Sequence, residues 1–338
     1  MKVLILKPSS LGDVIHALPV LRLLKRHLPD SEIFWWLDVG LLPLLENDPD
    51  LAGVVAFHRQ KWSSPRYWPE AVKSIGWVRR QHFDWVIDLQ GLARSGAFAW
   101  LSNAGLTIGV DDPREGAGGF YDLRVSRPSA LTHAVDWYLA VVKTLGVTVD
   151  DNFTWLPRRA EASDSIRRKW PIDAHRWILI NPGARWWNKR WPPEYYFQLV
   201  YLLAQDYPNH RFAVLGGLDD VEFGKQIAAN RPDRCVDLTG QTSLPEMVEW
   251  VRAGDIMVTN DTGPMHVAAA LRRPVVAMFG PTEPRRTGPY GQIDRALQIE
   301  LPCVPCLKAH CTYEKPMECL RGISPQRVRE EIHLRMPH

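Results

Sequence analysis

Short runs rich in β-branched and aromatic residues recur along this chain, each separated from the next by a longer segment with the apolar spacing of a helix. This alternation restricts the fold more than any other feature. In the first half the strand-like runs are 3–7, 32–37, 54–58, 85–89 and 107–110, with helical segments at 14–27, 67–81 and 133–145. A second series has strands at 177–181, 211–215, 235–238, 256–259 and 275–279 and helices at 193–205, 221–229, 244–253 and 264–271. Repeated β-α-β units imply parallel sheets covered by helices. Between the two series, Pro157, Arg158 and Arg159 lead into a polar stretch that reads as a linker. The expected architecture is therefore α/β, with two Rossmann-like lobes, residues 1–155 and 165–338, and a cleft between them. The 338 residues suit two cores.

Composition narrows the function classes. With 46% hydrophobic and 23% charged residues the chain is globular. A net charge of +3 gives no reason to expect a nucleic-acid partner. The start, MKVLILKPSS, places only four apolar residues between two lysines, too few for a signal peptide, and no stretch approaches the ~18 apolar residues of a membrane span. A cytoplasmic location is expected. The five cysteines then read as thiols or ligands rather than a disulfide framework.

In open parallel sheets ligands bind beyond the carboxyl ends of strands, and three such loops stand out. In KPSSLGDVIHALP, Ser9 and Ser10 form a small-residue turn, Gly12 permits close approach, and Asp13 opens a helix. Asp13 is either a helix cap or a carboxylate able to take a proton as general base. In NPGARWWNKRWPPEYY, Arg185, Lys189 and Arg190 stand among three tryptophans, as a solvated basic loop or as countercharges for a diphosphate; Lys189 is the preferred candidate. In NDTGPMHVAAA, Thr262 and Gly263 open a helix whose N-terminus favours phosphate, with His266 one turn inside. Asp261 would repel an anion, so it is expected to cap the helix, orient Lys189 or accept a sugar hydroxyl.

These three loops, with DLQGLARSG at 88–96, VLGGLDD at 214–220 and the continuation LRRPVVAMFGPTEP, resemble the lipopolysaccharide heptosyltransferase family over almost the whole chain. The resemblance implies an inverting glycosyltransferase of the two-lobed GT-B type that moves heptose from ADP-heptose to the lipid A–Kdo inner core of lipopolysaccharide. It implies that Asp13 is the general base and Lys189 the diphosphate countercharge. Asp261, Thr262, Gly263 and His266 would hold the donor, with Glu222 at the nucleoside. One branch of the family has hydroxyl residues at 184 and 185; Arg185 would replace their phosphate contacts here. The acceptor would meet the N-terminal lobe, where Ser10, Gly12, Arg59 and Lys61 are the expected contacts. No cofactor or metal is required for this chemistry, since a lysine and a helix N-terminus can neutralise the leaving group.

Two further features lie outside those motifs. Segment 58–82 carries Arg59, Lys61, Arg66, Lys73, Arg79 and Arg80 against one Glu70, interleaved with Trp62, Tyr67, Trp68 and Trp77. It is a solvated helix with a buried aromatic face, or a surface for the acceptor and an anionic inner membrane leaflet. Cys303, Cys306, Cys311 and Cys319 follow the spacing C-x2-C-x4-C-x7-C, open to a structural zinc or iron, with reduced thiols preferred. Three alternatives stay open: transfer of another nucleotide sugar to a glycan or protein, a non-catalytic sugar-nucleotide binding protein, and a nucleotide-binding oxidoreductase. The last is disfavoured because the first strand lacks a G-x-G-x-x-G turn.

Overall fold

The computed structural model describes residues 1–62, 64–112 and 115–336; positions 337 and 338, the end of the expected C-terminal lobe, lie outside them. The chain divides into two compact units, Met1–Pro157 and Arg158–His338.

In the first unit the strands are β1 Lys2–Leu6, β2 Glu32–Asp38, β3 Gly53–Phe57, β4 Trp85–Asp88, β5 Leu106–Asp111 and β6 Leu123–Ser126. They form one sheet in the order β3-β2-β1-β4-β5-β6, and every pairing is parallel. The strand order therefore reverses between β1 and β4, and the loop after β1 is held at that switch point. Trp36 stacks on Phe98 at 4.5 Å and tilts against Phe57 at 4.3 Å, closing one face of the sheet.

The second unit repeats the plan. Its strands are β7 Arg176–Asn181, β8 His210–Val214, β9 Cys235–Asp237, β10 Ile256–Asn260, β11 Val275–Met278 and β12 Ala296–Leu297. Their order is β12-β11-β10-β7-β8-β9, again parallel throughout. Here β7 and β10 are neighbours at the switch point and β11 lies beside β10. The loops after these three strands are thereby brought together, although about 80 residues separate β7 from β10 in sequence.

Two departures from the expected elements have clear causes. Both missing strands, β6 and β12, are short sheet edges: β6 buries only Val125, and β12 has two residues, so neither leaves a periodic signal. The expected linker is partly a helix, Ala160–Lys169, belonging to the second unit. It buries only Ala162, Ser163 and Ile166 and is held by polar contacts: Ser165 Oγ and Lys169 Nζ donate to Glu246 Oε1 at 2.6 and 2.5 Å. Burial alone would raise the Glu246 carboxyl. Those donors and the Ser243 backbone outweigh it and bring the group down to about 2.

Candidate functional site

Lys189 ends a short 3-10 turn, Trp187–Lys189, in the loop after β7. That loop starts at Pro182-Gly183, where a Cβ on Gly183 would stand 2.3 Å from Asp220 Oδ2; only glycine lets the two loops pack. The buried Asn260 at the end of β10 fixes the loop's path. Its Nδ2 donates to the Pro182 carbonyl at 2.6 Å, and its Oδ1 accepts from Trp191 N–H at 3.0 Å and Tyr196 O–H at 3.2 Å. Lys189 Nζ is so directed onto Asp261 Oδ2 at 2.6 Å, with the Trp186 ring 4.8 Å away as a cation–π partner. The same Asp261 oxygen accepts from Thr282 Oγ1, also at 2.6 Å, out of the loop after β11. Asp261 is 6% and Thr282 9% exposed, so the carboxylate meets its two donors largely away from water.

Asp261 does not cap the following helix. The cap position of Gly263–Ala270 is Thr262, whose side chain makes no capping hydrogen bond. The Asp261 carboxylate instead meets Lys189. The helix N-terminus at Thr262 and Gly263 therefore lies next in sequence to a lysine-bearing ion pair, with the buried His266 inside its first turn. Such an arrangement can hold a diphosphate. Of the other expected donor contacts, Arg185 is exposed on the Lys189 loop. Glu222 is exposed and accepts from Gln226 at 3.4 Å; it lines a cavity of about 300 Å³ with Trp187, Arg190, Phe223 and Arg321.

In the first unit Ser10 is the cap of helix Leu11–His27, and Asp13, at its third position, completes a capping box. Asp13 Oδ2 accepts from the Ser10 N–H at 2.8 Å and the Ser10 hydroxyl at 2.7 Å. Asp13 is thus a capping residue by position without being the cap itself, and Gly12 is buried between them. Beneath this turn Lys7 is buried, donating to the Leu89 carbonyl at 2.9 Å with its ammonium 4.9 Å from the Tyr138 ring. Burial disfavours its charge, but the Tyr138 phenol and the carboxylates of Asp13 and Asp88 outweigh this and hold the ammonium above its ordinary value. Sequence reasoning took Lys7 only as the end of a strand. Arg59 and Lys61 lie on helix Arg59–Trp62 after β3, which β2 separates from β1. They are exposed there, so the sheet order does not put them beside the Ser10–Asp13 turn.

In the basic segment Trp62 packs on the core beside Phe57, whereas the helix that follows keeps its aromatics largely outside the core. In Trp68–Arg80 only Val78 is buried; Trp68 is 59% and Val72 65% exposed, and Trp77 too is exposed. Lys73, Arg79 and Arg80 are exposed with them. Among the described residues no helix is long and apolar enough to cross a membrane.

All five cysteines are free. Burial, then the neighbouring thiols of Cys311, Cys303 and Cys306, push the buried Cys319 up to about 11. Cys311 Sγ accepts the Met317 N–H at 3.3 Å. Among the described residues no group of three or more His, Cys, Asp or Glu is placed to hold a metal, so the geometry gives the structural-metal reading no support.

Known proteins agree with this architecture. The profile of glycosyltransferase family 9 (heptosyltransferase) matches residues 72–317. Lipopolysaccharide heptosyltransferase 1 of Pseudomonas aeruginosa is 28% identical, covering 98% of this chain and 97% of its own. Lipopolysaccharide heptosyltransferase 2 of Salmonella typhimurium is 27% identical, with 98% of both chains covered. Among solved structures, E. coli ADP-heptose heptosyltransferase II superposes with a TM-score of 0.79 at 26% identity, covering 99% of this chain and 98% of its own. The E. coli heptosyltransferase WaaC with ADP gives 0.78 at 25% identity, covering 99% and 100%. The two parallel six-stranded units are thus of the GT-B type.

Proposed function

The chain belongs to glycosyltransferase family 9, the heptosyltransferases, and from that membership we propose that it moves a heptose from ADP-L-glycero-D-manno-heptose to the lipid A–Kdo inner core of lipopolysaccharide with inversion. The observation that carries the donor half is the Lys189–Asp261 pair beside the helix N-terminus at Thr262. Solved structures of WaaC with ADP and with ADP-2-deoxy-2-fluoro heptose, at 25% identity over nearly the full chain, support an ADP-sugar as the donor. In this reading Arg185, Asp261, Thr262, Gly263 and His266 serve the diphosphate and sugar, and Glu222 the nucleoside.

An acceptor hydroxyl, oriented by Ser10 and Gly12, loses its proton to the Asp13 carboxylate as its oxygen attacks the anomeric carbon. The bond to the β-phosphate oxygen breaks on the opposite face, and ADP leaves with the electron pair. Lys189 and the helix N-terminus offset the charge that develops on the diphosphate, so no metal is needed for the step. A donor screen tests this. ADP-heptose is expected to be consumed with at least one of the inner-core acceptors carrying no, one or two heptoses, and UDP-, GDP- and ADP-hexoses are not. Turnover of a hexose donor in preference would overturn the heptose assignment.

The exposed Trp68, Val72 and Trp77 beside Lys73, Arg79 and Arg80 support contact with an anionic leaflet on the cytoplasmic face. Replacing Arg79 and Arg80 together by Ala is expected to weaken binding to phosphatidylglycerol vesicles and raise the acceptor's KM. Unchanged values for both would exclude this surface.

A further inference from the structure

We propose that Thr282 is a positioning residue for the donor, acting through Asp261 to let Lys189 turn from its internal carboxylate to the incoming diphosphate. The inference rests on the ADP-sugar reading above. Asp261 Oδ2 has two donors, Lys189 Nζ and Thr282 Oγ1, each at 2.6 Å, and the carboxylate is almost wholly buried. A buried carboxylate stripped of donors is costly, so the last donor holds on hard. If Lys189 were alone on this oxygen, moving it toward a phosphate would leave the charge bare. The Thr282 hydroxyl remains behind when Lys189 moves, and so lowers the cost of that movement.

The hydroxyl is fixed for this task. Gln298 Nε2 donates to the Thr282 carbonyl at 2.7 Å and to the Gly280 carbonyl at 3.1 Å, bracketing the turn after β11. Thr282 needs no contact with the donor itself.

Calorimetric titration of the full chain with ADP tests this without an acceptor or a sugar. Thr282→Val keeps the shape and removes the donor; it is expected to weaken ADP binding about tenfold, the scale of one hydrogen bond to a charged group. Thr282→Ser is expected to restore affinity close to wild type. In an Asp261→Asn background the carboxylate charge is gone, and Thr282→Val is expected to cost little more. Wild-type affinity in Thr282→Val, equal losses in the Ser and Val variants, or full additivity with Asp261→Asn would each overturn the proposal. Failure of the wild-type chain to bind ADP would instead overturn the donor reading, and this inference with it.

Discussion

Asp13→Asn is expected to lower turnover by roughly 10²- to 10⁴-fold, the usual contribution of a general base, while ADP affinity stays at the wild-type level. The two readouts part because the residues involved lie in different units: Asp13 follows β1, whereas Lys189, Asp261 and the Thr262 helix end belong to the unit that begins at Arg158. The substitution is mild on the fold. An asparagine Oδ1 can still accept from the Ser10 backbone and hydroxyl, which now meet Asp13 at 2.8 and 2.7 Å. Helix Leu11–His27 is moreover anchored by a nearly continuous buried run, Val14 to Leu24, so a weakened capping box costs about 1 kcal/mol at most. Lys7 loses one of its two nearby carboxylates but keeps Asp88 and Tyr138. A large fall in kcat with intact ADP binding therefore reports proton transfer. Turnover near wild type in Asp13→Asn would reduce Asp13 to the capping residue that its hydrogen bonds already make it.

The parts of this molecule legible in sequence are those written as periodicity. The helices Val221–Ala229 and Leu244–Ala253 lie where their apolar spacing put them, and the other expected strands and helices differ only at their ends. Helix Ala160–Lys169 was not legible because it buries few apolar residues, Ala162 and Ile166, and its polar partner Glu246 stands 77 residues or more away in sequence. Helix Ala93–Ser102 begins within the motif DLQGLARSG at 88–96 and was not among the expected helices. At the site, loops after strands were found because the parallel sheet makes them the place to search, and the sheet order then joined the loops of β7 and β10. Individual side-chain roles were less visible. Asn260 and Thr282 stand inside quoted motifs, yet what each does depends on the neighbours that β-strand order supplies: the Pro182 carbonyl for one, Asp261 for the other. Lys7 was hidden for another reason: a lysine at a strand end reads as solvated until a tyrosine from helix Ala134–Thr144 covers it.

Lys189→Met is expected to lower kcat by roughly 10²- to 10³-fold and to weaken ADP binding as well, because the countercharge serves both bound diphosphate and the departing one. Interpretation of that loss depends on Asp261. Removing the lysine leaves a carboxylate, 6% exposed, with Thr282 as its remaining donor in this cluster, and the variant is expected to lose about 1 to 3 kcal/mol of stability on that account alone. A fall in activity could then reflect a disturbed Thr262 helix end rather than missing charge. Lys189→Met combined with Asp261→Asn separates the two. The double variant has no buried uncompensated charge, so its unfolding midpoint is expected to return toward wild type, whereas its turnover stays low because nothing cationic faces the leaving group. Recovery of turnover along with stability would mean that Lys189 only neutralises Asp261, and that the helix N-terminus alone carries the diphosphate.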